Sequence, residues 1–291
     1  MRLLLETLEA RGVKTCSWEE LELLTDDDPL RAQALAALAE AKTRQTASIL
    51  LDQVNGAFRR AVESVLASLR NGDLPAAEKQ LAALEHRAAI GRHLTTPFGV
   101  VVAGAPNVGK SSLVNAIAGY QRSIVAPTPG TTRDVVTTLV ALNGWPVELA
   151  DTAGMRADTE ALETEGIQLA RATAAAADLC LWVLDSSVPA EWPDPSLAAV
   201  QLVVNKIDLP SAWELPEGKN AIRVSALKGT GVPELCSAIA SWLAPDPPPA
   251  GSAVPFTPEL CEWVEQTRNL IRAGRITEAA AILGEQISSS R

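Results

Sequence analysis

The sequence predicts an α/β domain with a mostly parallel sheet, inserted into an α-helical domain. Three observations lead to this prediction. Residues 1–96 carry apolar side chains at helical spacing, and residues 97–245 alternate apolar runs of strand length with helical stretches. Residues 246–291 open on a proline-rich linker, within PDPPPAGSAV, and return to helical spacing. The α/β part is therefore expected to lie between two helical segments.

The first segment is predicted to be helical. Ser17 and Glu20 have the spacing of a capping box, and Asp28 followed by Pro29 predicts a second helix start. Two apolar stripes at steps of three and four follow, separated by an Asn71-Gly72 turn. Their members are Leu51, Val54, Phe58, Val62, Val65 and Leu69, then Ala77, Leu81, Leu84 and Ala88. Such stripes indicate the core of two antiparallel helices or a small bundle.

The middle segment contains six apolar runs of strand length. They read FGVVVAG, VVTTLVAL, VELAD, LCLWVLD, LVVNKID and AIRVSA. Asn143-Gly144 between the second and third runs predicts a hairpin, so one strand is expected to be antiparallel. The proline-containing connections at 186–199 and 209–220 have room for only a turn or two of helix. In the last segment Thr257-Pro258 predicts a helix start, Gly274 its end, and Thr277 the start of a final helix.

Composition excludes several classes of protein. The 291 residues are 47% hydrophobic and 21% charged, which argues against wholesale disorder. A net charge of −10 argues against a basic, non-specific nucleic-acid binder, although RNA held by a local patch stays open. The four cysteines lack zinc-ligand spacing and are expected to be buried thiols. Neither a signal peptide nor a membrane span is predicted, so we expect a cytoplasmic protein without membrane contact.

A glycine-rich motif follows the first strand run. Residues 104–111 read GAPNVGKS, which is G-x-x-x-x-G-K-S between a strand run and the helical stretch SLVNAIAG. Backbone amides of such a loop turn inward around phosphate oxygens, and the following helix directs its positive end at the same anion. Lys110 is expected to reach the β and γ phosphates, and Ser111 to offer its hydroxyl to Mg²⁺. The predicted nucleotide-binding residues here are Asn107, Val108, Gly109, Lys110, Ser111 and Ser112. A turn that binds nothing is the alternative, and the strand–loop–helix context argues against it.

A second motif, NKID, predicts recognition of the base. The carboxylate of Asp208 can accept hydrogen bonds from guanine N1–H and the 2-amino group, and adenine lacks both donors. Lys206 is expected to lie across the base plane, and Asn205 to tie this loop to the phosphate loop. Ser225 and Ala226 end the next strand run, where the backbone is expected to meet guanine O6.

Two further motifs point to a nucleotide-dependent switch. Asp151 opens DTAG after the third strand run and is expected to hold Mg²⁺ through water, while the amide of Gly154 meets the γ phosphate. Thr132 of GTTRD is placed to be the second hydroxyl on Mg²⁺. Both loops would be ordered by the γ phosphate and released on hydrolysis. A polar loop is the alternative for GTTRD, and the order of all five motifs favours a GTPase.

The sequence resembles the MnmE (TrmE) tRNA-modification GTPases, within the translation-associated GTPases. The resemblance is carried by Ala41-Lys42-Thr43 onward, GAPNVGKSSLVNAIAG, SIVAPTPGTTRD and DTAGMRADTEALETEGI. It covers about residues 30–245 well and the tail weakly. It implies a P-loop GTPase domain within helices that hydrolyses GTP to GDP and phosphate as a conformational switch, linked to modification of the tRNA wobble uridine.

The resemblance also implies roles for two residues outside the motif chemistry. Asn107 would help to hold a K⁺ ion, enclosed by the loop at about 120–131, that supplies the charge of an arginine finger. A purely structural role in shaping the loop is the alternative. Met155 after DTAG cannot orient water, and Glu163 matches the glutamate that the family uses, with a solvated helix residue as the alternative. The predicted catalytic residues are Lys110, Thr132, Gly154 and Glu163.

In the family, G domains pair across the nucleotide face, and the homodimer acts with a flavoprotein on tRNA. Two features depart from the family. Fewer than 30 residues precede the predicted helices where the family has a folate-binding domain, and the chain ends Ser288-Ser289-Ser290-Arg291 where the family has Cys-x-Gly-Lys. Cys261 does not replace that cysteine. These departures bear on the uridine chemistry and leave GTP hydrolysis as expected.

Two other functions stay open at this level. One is a ribosome-assembly or regulatory switch that acts by binding rather than by modifying RNA. The other is a nucleotide-binding scaffold that has lost catalysis, against which the intact Lys110, Ser111, Thr132 and Asp151 stand.

Overall fold

The computed structural model describes residues 28–120, 137–151, 177–195 and 199–287. The chain divides into two compact units. One, here the helical unit, comprises Met1–Thr95 with Pro248–Arg291, and the other, here the α/β unit, comprises Thr96–Pro247. The predicted capping box at Ser17 and Glu20 lies outside the described residues.

The helical unit contains six helices among its described residues. They are α1 Pro29–Glu40, α2 Arg44–Val54, α3 Ala57–Arg70, α4 Leu74–Gly91, α7 Pro258–Arg272 and α8 Ile276–Ile287. Asp28 and Thr257 cap α1 and α7, as the sequence predicts, by accepting hydrogen bonds from backbone amides of the first turn. Gly274, with φ 75°, follows α7, and α8 begins one residue earlier than predicted.

The first apolar stripe was predicted as one continuous helix face, and this is wrong at its start. The helix stops at Val54, and Gly56 has φ 82°, which no right-handed helix accommodates. Leu51 is consequently 49% exposed, whereas Phe58 and the later members of the stripe are buried in α3. All four members of the second stripe are buried in α4.

Aromatic packing and one buried amide define the core of the helical unit. The ring of Phe58 lies edge to face with Phe256, at 5.8 Å between centroids, and with Trp263 at 6.2 Å. The side-chain amide of Gln53 donates to the carbonyl of Ser252 and accepts from the amide of Val254. The second half of the proline-rich linker is thereby fixed against α2.

The α/β unit is a six-stranded sheet with the order β2-β3-β1-β4-β5-β6. The strands are β1 Phe98–Ala103, β2 Thr137–Leu142, β3 Trp145–Asp151, β4 Leu179–Asp185, β5 Val200–Asn205 and β6 Ala221–Arg223. Helices α5 Lys110–Tyr120 and α6 Val232–Leu243 complete its described elements. Among these described strands only β2 and β3 pair in antiparallel fashion, through a turn in which Asn143 and Gly144 both have positive φ. The predicted fold class is confirmed.

Sheet topology brings the candidate residues to one edge. Strands β1, β3, β4 and β5 are parallel, so their carboxyl ends lie side by side. After β1 the chain forms β2 and β3, which lie on one side of β1, and then β4, which lies on the other side. Ligands of open α/β sheets bind at the point where the strand order changes direction in this way. The described parts of 186–199 and 209–220 contain no helix, in agreement with their predicted shortness.

Three of the four cysteines lie within the described residues. Cys180, Cys236 and Cys261 are buried free thiols, and burial raises the pKa of each to about 11. They are therefore protonated, poorly nucleophilic core residues. No helix in the described parts of the chain has the length and apolarity needed to cross a bilayer.

Candidate functional site

The loop between β1 and α5 has a backbone that demands glycine at both ends. Gly104 has φ 142°, and a Cβ atom there would lie 2.4 Å from the carbonyl oxygen of Val183 in β4. Gly109 has φ 95°, and its Cβ would lie 2.4 Å from Nδ2 of Asn205. Asn107 adopts φ 62°. The glycines of the motif thus allow close approach of the loop to two neighbouring strands.

This close approach supplies the first prediction. Gly104→Ala should lower the free energy of unfolding by about 1–3 kcal/mol, because it combines a strained φ with a clash against rigid backbone. Urea denaturation measures the change. Gly119→Ala is the matched control, since its Cβ would meet no atom within 4 Å in helix α5. A Gly104→Ala protein as stable as Gly119→Ala would contradict the argument.

The lysine of the loop is buried inside it. Lys110 is 5% exposed, and its ammonium donates to the carbonyls of Gly104 at 3.0 Å and Ala105 at 2.8 Å. The ammonium therefore lies within the curve of the loop at the start of α5. The first amides of a helix have no partner within that helix, and together with this lysine they create a site for an anion.

A hydroxyl and a carboxylate meet beside the loop. Ser111 Oγ donates to Asp151 Oδ2 at 2.5 Å, and Asp151 ends β3 at 8% exposure. Hard oxygen donors of this kind suit Mg²⁺, which commonly takes few protein ligands and completes its shell with phosphate oxygens and water. The described residues contain no group of three or more His, Cys, Asp or Glu that could hold a metal by themselves.

The side chain of Asn205 joins two loops. It is 2% exposed at the end of β5, and its Nδ2 donates to the carbonyl of Val108 at 2.9 Å. Its Oδ1 accepts from the amide of Ala226 at 3.0 Å. One buried side chain thus connects the glycine-rich loop to the loop after β6, and both of its polar ends are satisfied.

The neighbouring lysine reaches the same loop. Lys206, with φ 62°, donates from Nζ to the carbonyl of Asn107 at 2.7 Å and pairs with Asp185 Oδ2 at 2.6 Å. A cavity of about 270 Å³ adjoins this pair, lined by residues 105–108, residues of 183–191 and Lys206.

Asp208 is held ready as an acceptor. The hydroxyl of Ser225 donates to its Oδ1 at 2.7 Å, and the amide of Lys228 donates in turn to Ser225 Oγ at 3.1 Å. The hydrogen bond from Ser225 holds the pKa of Asp208 below its ordinary value. The half-buried carboxylate therefore stays ionised and oriented at neutral and mildly acidic pH.

The structure places the described candidate residues together at one edge of the sheet. Val108 is buried and Ser112 is exposed at the start of α5. Thr132, Gly154, Glu163 and the loop at about 120–131 lie outside the described residues. Among the described residues that contact this edge, the sequence analysis did not single out Asp185, Ser187 or Trp213. The run LCLWVLD does end in a carboxylate, as VELAD does, and that repetition was the available signal.

Known proteins are similar to this chain in sequence. The family model described as "50S ribosome-binding GTPase" matches residues 99–209. The tRNA modification GTPase MnmE of Rhodospirillum rubrum is 38% identical over 248 residues, or 74% of this chain and 54% of that protein. A protein of the same name from Thermus thermophilus is 35% identical over 266 residues, or 82% of this chain and 61% of that protein.

The chain therefore spans between half and two thirds of the length of these relatives. The glycine-rich loop, the NKID segment and the hydrogen bond from Asn205 to Val108 lie within residues 99–209. Residues 99–209 of the chain match a GTPase domain, and most of the chain is similar in sequence to tRNA modification GTPases named MnmE.

Proposed function

We propose that the protein binds GTP and GDP with Mg²⁺ and hydrolyses GTP as a conformational switch. The observation that carries the proposal is a set of hydrogen bonds that links the predicted base-binding carboxylate to the phosphate-binding loop. Asp208 is fixed by Ser225, and Asn205 connects the loop after β6 to Val108. One ribose joins the base of a nucleotide to its phosphates and limits their separation, so a rigid connection between the base-binding and phosphate-binding residues suits a nucleotide.

The proposal assigns a role to each part of the edge. Amides of residues 107–112 and the ammonium of Lys110 neutralise the phosphates, and the carboxylate of Asp208 accepts from guanine. The backbone at Ser225 and Ala226 is assigned to guanine O6, and an amide there would exchange its present acceptor, the Thr230 carbonyl or Asn205 Oδ1, for the base. Ser111 and Asp151, through water, would hold Mg²⁺, which supplies charge neutralisation at the phosphates. GTPases in general use their nucleotide with Mg²⁺, and the donor set here fits that ion.

Three assignments rest on the sequence, because their residues lie outside the described part of the chain: the motifs GTTRD and DTAG support Thr132 and Gly154, and the resemblance supports Glu163. Thr132 would complete the Mg²⁺ ligands, the Gly154 amide would meet the γ phosphate, and Glu163 would orient the attacking water. Multiple-turnover phosphate release, with and without Mg²⁺, tests the proposed reaction. Magnesium-dependent release that Glu163→Ala slows while GTP binding persists supports these roles, and unchanged turnover in that variant contradicts the role of Glu163.

A dependence on K⁺ is a separate part of the proposal. Asn107 has a left-handed backbone at the tip of the phosphate loop, and its carbonyl is already held by Lys206. Its side chain would contribute one ligand to K⁺ beside the phosphates. GTP hydrolysis should therefore be about tenfold or more faster in KCl than in NaCl at equal ionic strength, because the ion acts as an electrostatic catalyst. Equal rates in the two salts would exclude the ion from the reaction.

We further propose that the switch serves tRNA modification in the cytoplasm, with a flavoprotein partner and a homodimer formed through the G domains. The names of the relatives, tRNA modification GTPase, support the substrate class. The description of the matching family model, a 50S ribosome-binding GTPase, favours a ribosome-associated switch as the second candidate.

Purification of the tagged protein from its native host, with GTP and K⁺, separates these two candidates. Recovery of a flavoprotein with tRNA supports modification. Recovery of ribosomal particles, without a flavoprotein, supports the ribosome-associated switch and contradicts the first candidate.

A further inference from the structure

We propose that Asp185 is a positioning residue for guanine recognition, because it fixes the side chain of Lys206 between the base site and the phosphate loop. This inference rests on the proposed function. It adds a residue that belongs to none of the GTPase motifs in the sequence and that reaches the nucleotide only through Lys206.

The contact itself is short and mostly buried. Lys206 Nζ lies 2.6 Å from Asp185 Oδ2 and 2.7 Å from the carbonyl oxygen of Asn107. The side chain of Asp185 is 5% exposed, whereas that of Lys206 is 31% exposed. Two of the three donors of the ammonium are therefore committed, one to β4 and one to the phosphate loop. With both ends of the side chain fixed, its aliphatic stem has a defined course along the base site.

The carboxylate is in turn held by its own surroundings. Asp185 Oδ1 accepts from the amide of Ser187 at 2.8 Å and from its hydroxyl at 2.7 Å. The indole Nε1 of Trp213 donates to the Asp185 carbonyl at 2.8 Å. Burial works to raise the pKa of this carboxyl, but hydrogen bonds from Lys206 and Ser187 hold the pKa below its ordinary value. Asp185 is thus an ionised, immobile anchor.

Register explains why this anchor meets that lysine. Asp185 is paired directly with Asn205 across the parallel strands β4 and β5, so it stands beside the residue that precedes Lys206. The loop after β4 contacts Asp185 through a hydrogen bond from Ser187, and the loop after β5 contacts it through a hydrogen bond from Trp213. The carboxylate is therefore placed by the sheet rather than by a mobile loop.

The adjoining cavity gives the Lys206 ammonium space to move unless Asp185 holds it. Its volume of about 270 Å³ is several times that of a water molecule, and its lining includes Lys206, Asp185 and Glu191. A lysine ammonium released from Asp185 has space to rotate into this cavity, toward solvent, or toward another acceptor. Without Asp185, the Asn107 carbonyl would be the remaining partner of the ammonium among the described residues.

The test is a double-mutant cycle in which calorimetry measures the affinity of each variant for GDP in the presence of Mg²⁺. Asp185→Asn keeps the shape of the side chain, and Lys206→Met keeps the aliphatic stem without the charge. Each single variant should weaken GDP binding by about tenfold, the scale of one charge-assisted hydrogen bond. The double variant should bind no more weakly than Lys206→Met alone, because Asp185 acts through that lysine. Multiplied effects in the double variant would overturn the proposal.

Two further measurements separate positioning from a general loss of structure. IDP lacks the 2-amino group, so the ratio of GDP to IDP affinity should stay unchanged in Asp185→Asn and fall in Asp208→Asn. Ser187→Ala, which removes one hydrogen bond to the carboxylate, should weaken GDP binding by a smaller factor, and only when Lys206 is present. A changed GDP-to-IDP ratio in Asp185→Asn, or an effect of Ser187→Ala in the Lys206→Met protein, counts against positioning through Lys206.

Glu191→Gln is the matched control, because this residue lines the same cavity and its side chain is exposed. It should bind GDP as the unaltered protein does, and a tenfold loss there would attribute the effect to the charge of the cavity. Failure of the unaltered protein to bind GDP would refute the proposed function itself. Normal GDP binding by the unaltered protein, with independent effects of Asp185→Asn and Lys206→Met, would refute only the role of Asp185.

Discussion

Asp208→Asn is expected to lower the affinity for GTP by about 100-fold or more and to make xanthosine triphosphate the preferred nucleotide. The amide keeps one acceptor and gains a donor. The donor opposes the 2-amino group of guanine and matches the oxygen that xanthine carries in its place. Because a site built to pair polar groups strongly rejects a partner that leaves them unpaired, this substitution should have a large effect.

The surroundings of Asp208 allow an asparagine to occupy the same position as the carboxylate. Ser225 donates to Oδ1 at 2.7 Å and is itself 1% exposed, so an asparagine can keep that hydrogen bond and the same orientation. Calorimetric titration with GTP and xanthosine triphosphate measures the exchange of preference. Glu214→Gln, a carboxylate change in the same unit, should alter neither affinity. An Asp208→Asn protein that keeps its preference for GTP would contradict the assignment of the base reader.

Lys110→Ala is expected to reduce GTP binding by about 100-fold or more and to abolish measurable hydrolysis. Lys110 is 5% exposed, and its ammonium donates to the carbonyls of Gly104 and Ala105 within the loop. Removing it takes away the positive charge nearest to the proposed phosphates. It also leaves two carbonyl oxygens of the loop without their donor.

Phosphate release and calorimetry on one preparation measure both effects. Lys79→Ala, in helix α4 of the helical unit, makes the same change of charge outside the α/β unit and should leave both properties unchanged. Circular dichroism of the Lys110→Ala protein tests whether the fold is kept. Normal GTP hydrolysis by that folded variant would exclude Lys110 from the site.

The fold and the motif residues were predictable because their signals are local. A glycine-rich loop, a lysine and a serine occupy consecutive positions, and the strand before them is a continuous apolar run. The turn at Asn143 and Gly144 was equally readable, since left-handed backbone at two successive residues favours this pair. The link from Asn205 to the phosphate loop also followed from the motif, and the hydrogen bond to Val108 has that geometry.

Features that depend on tertiary pairing were not predictable. Asp185 became a site residue because strand register places it opposite Asn205, and Trp213 because a distant loop folds back onto β4. The spacing of apolar residues likewise predicted one helix face that runs through Gly56. In the structure the positive φ of Gly56 separates two helices, and Leu51 is exposed. Side-chain spacing reports which face is apolar, but it carries no information about which strand end meets which loop.

The loop at 104–111 and Asp208 are proposed to select a guanine nucleotide together. Calorimetry of the purified protein with Mg²⁺, titrated with GDP and then with ADP, tests this most directly. We predict binding of one GDP per chain, with ADP bound at least about 100-fold more weakly because adenine offers no donors to Asp208. Equal affinity for the two nucleotides, or no binding of GDP by the folded protein, would contradict the account.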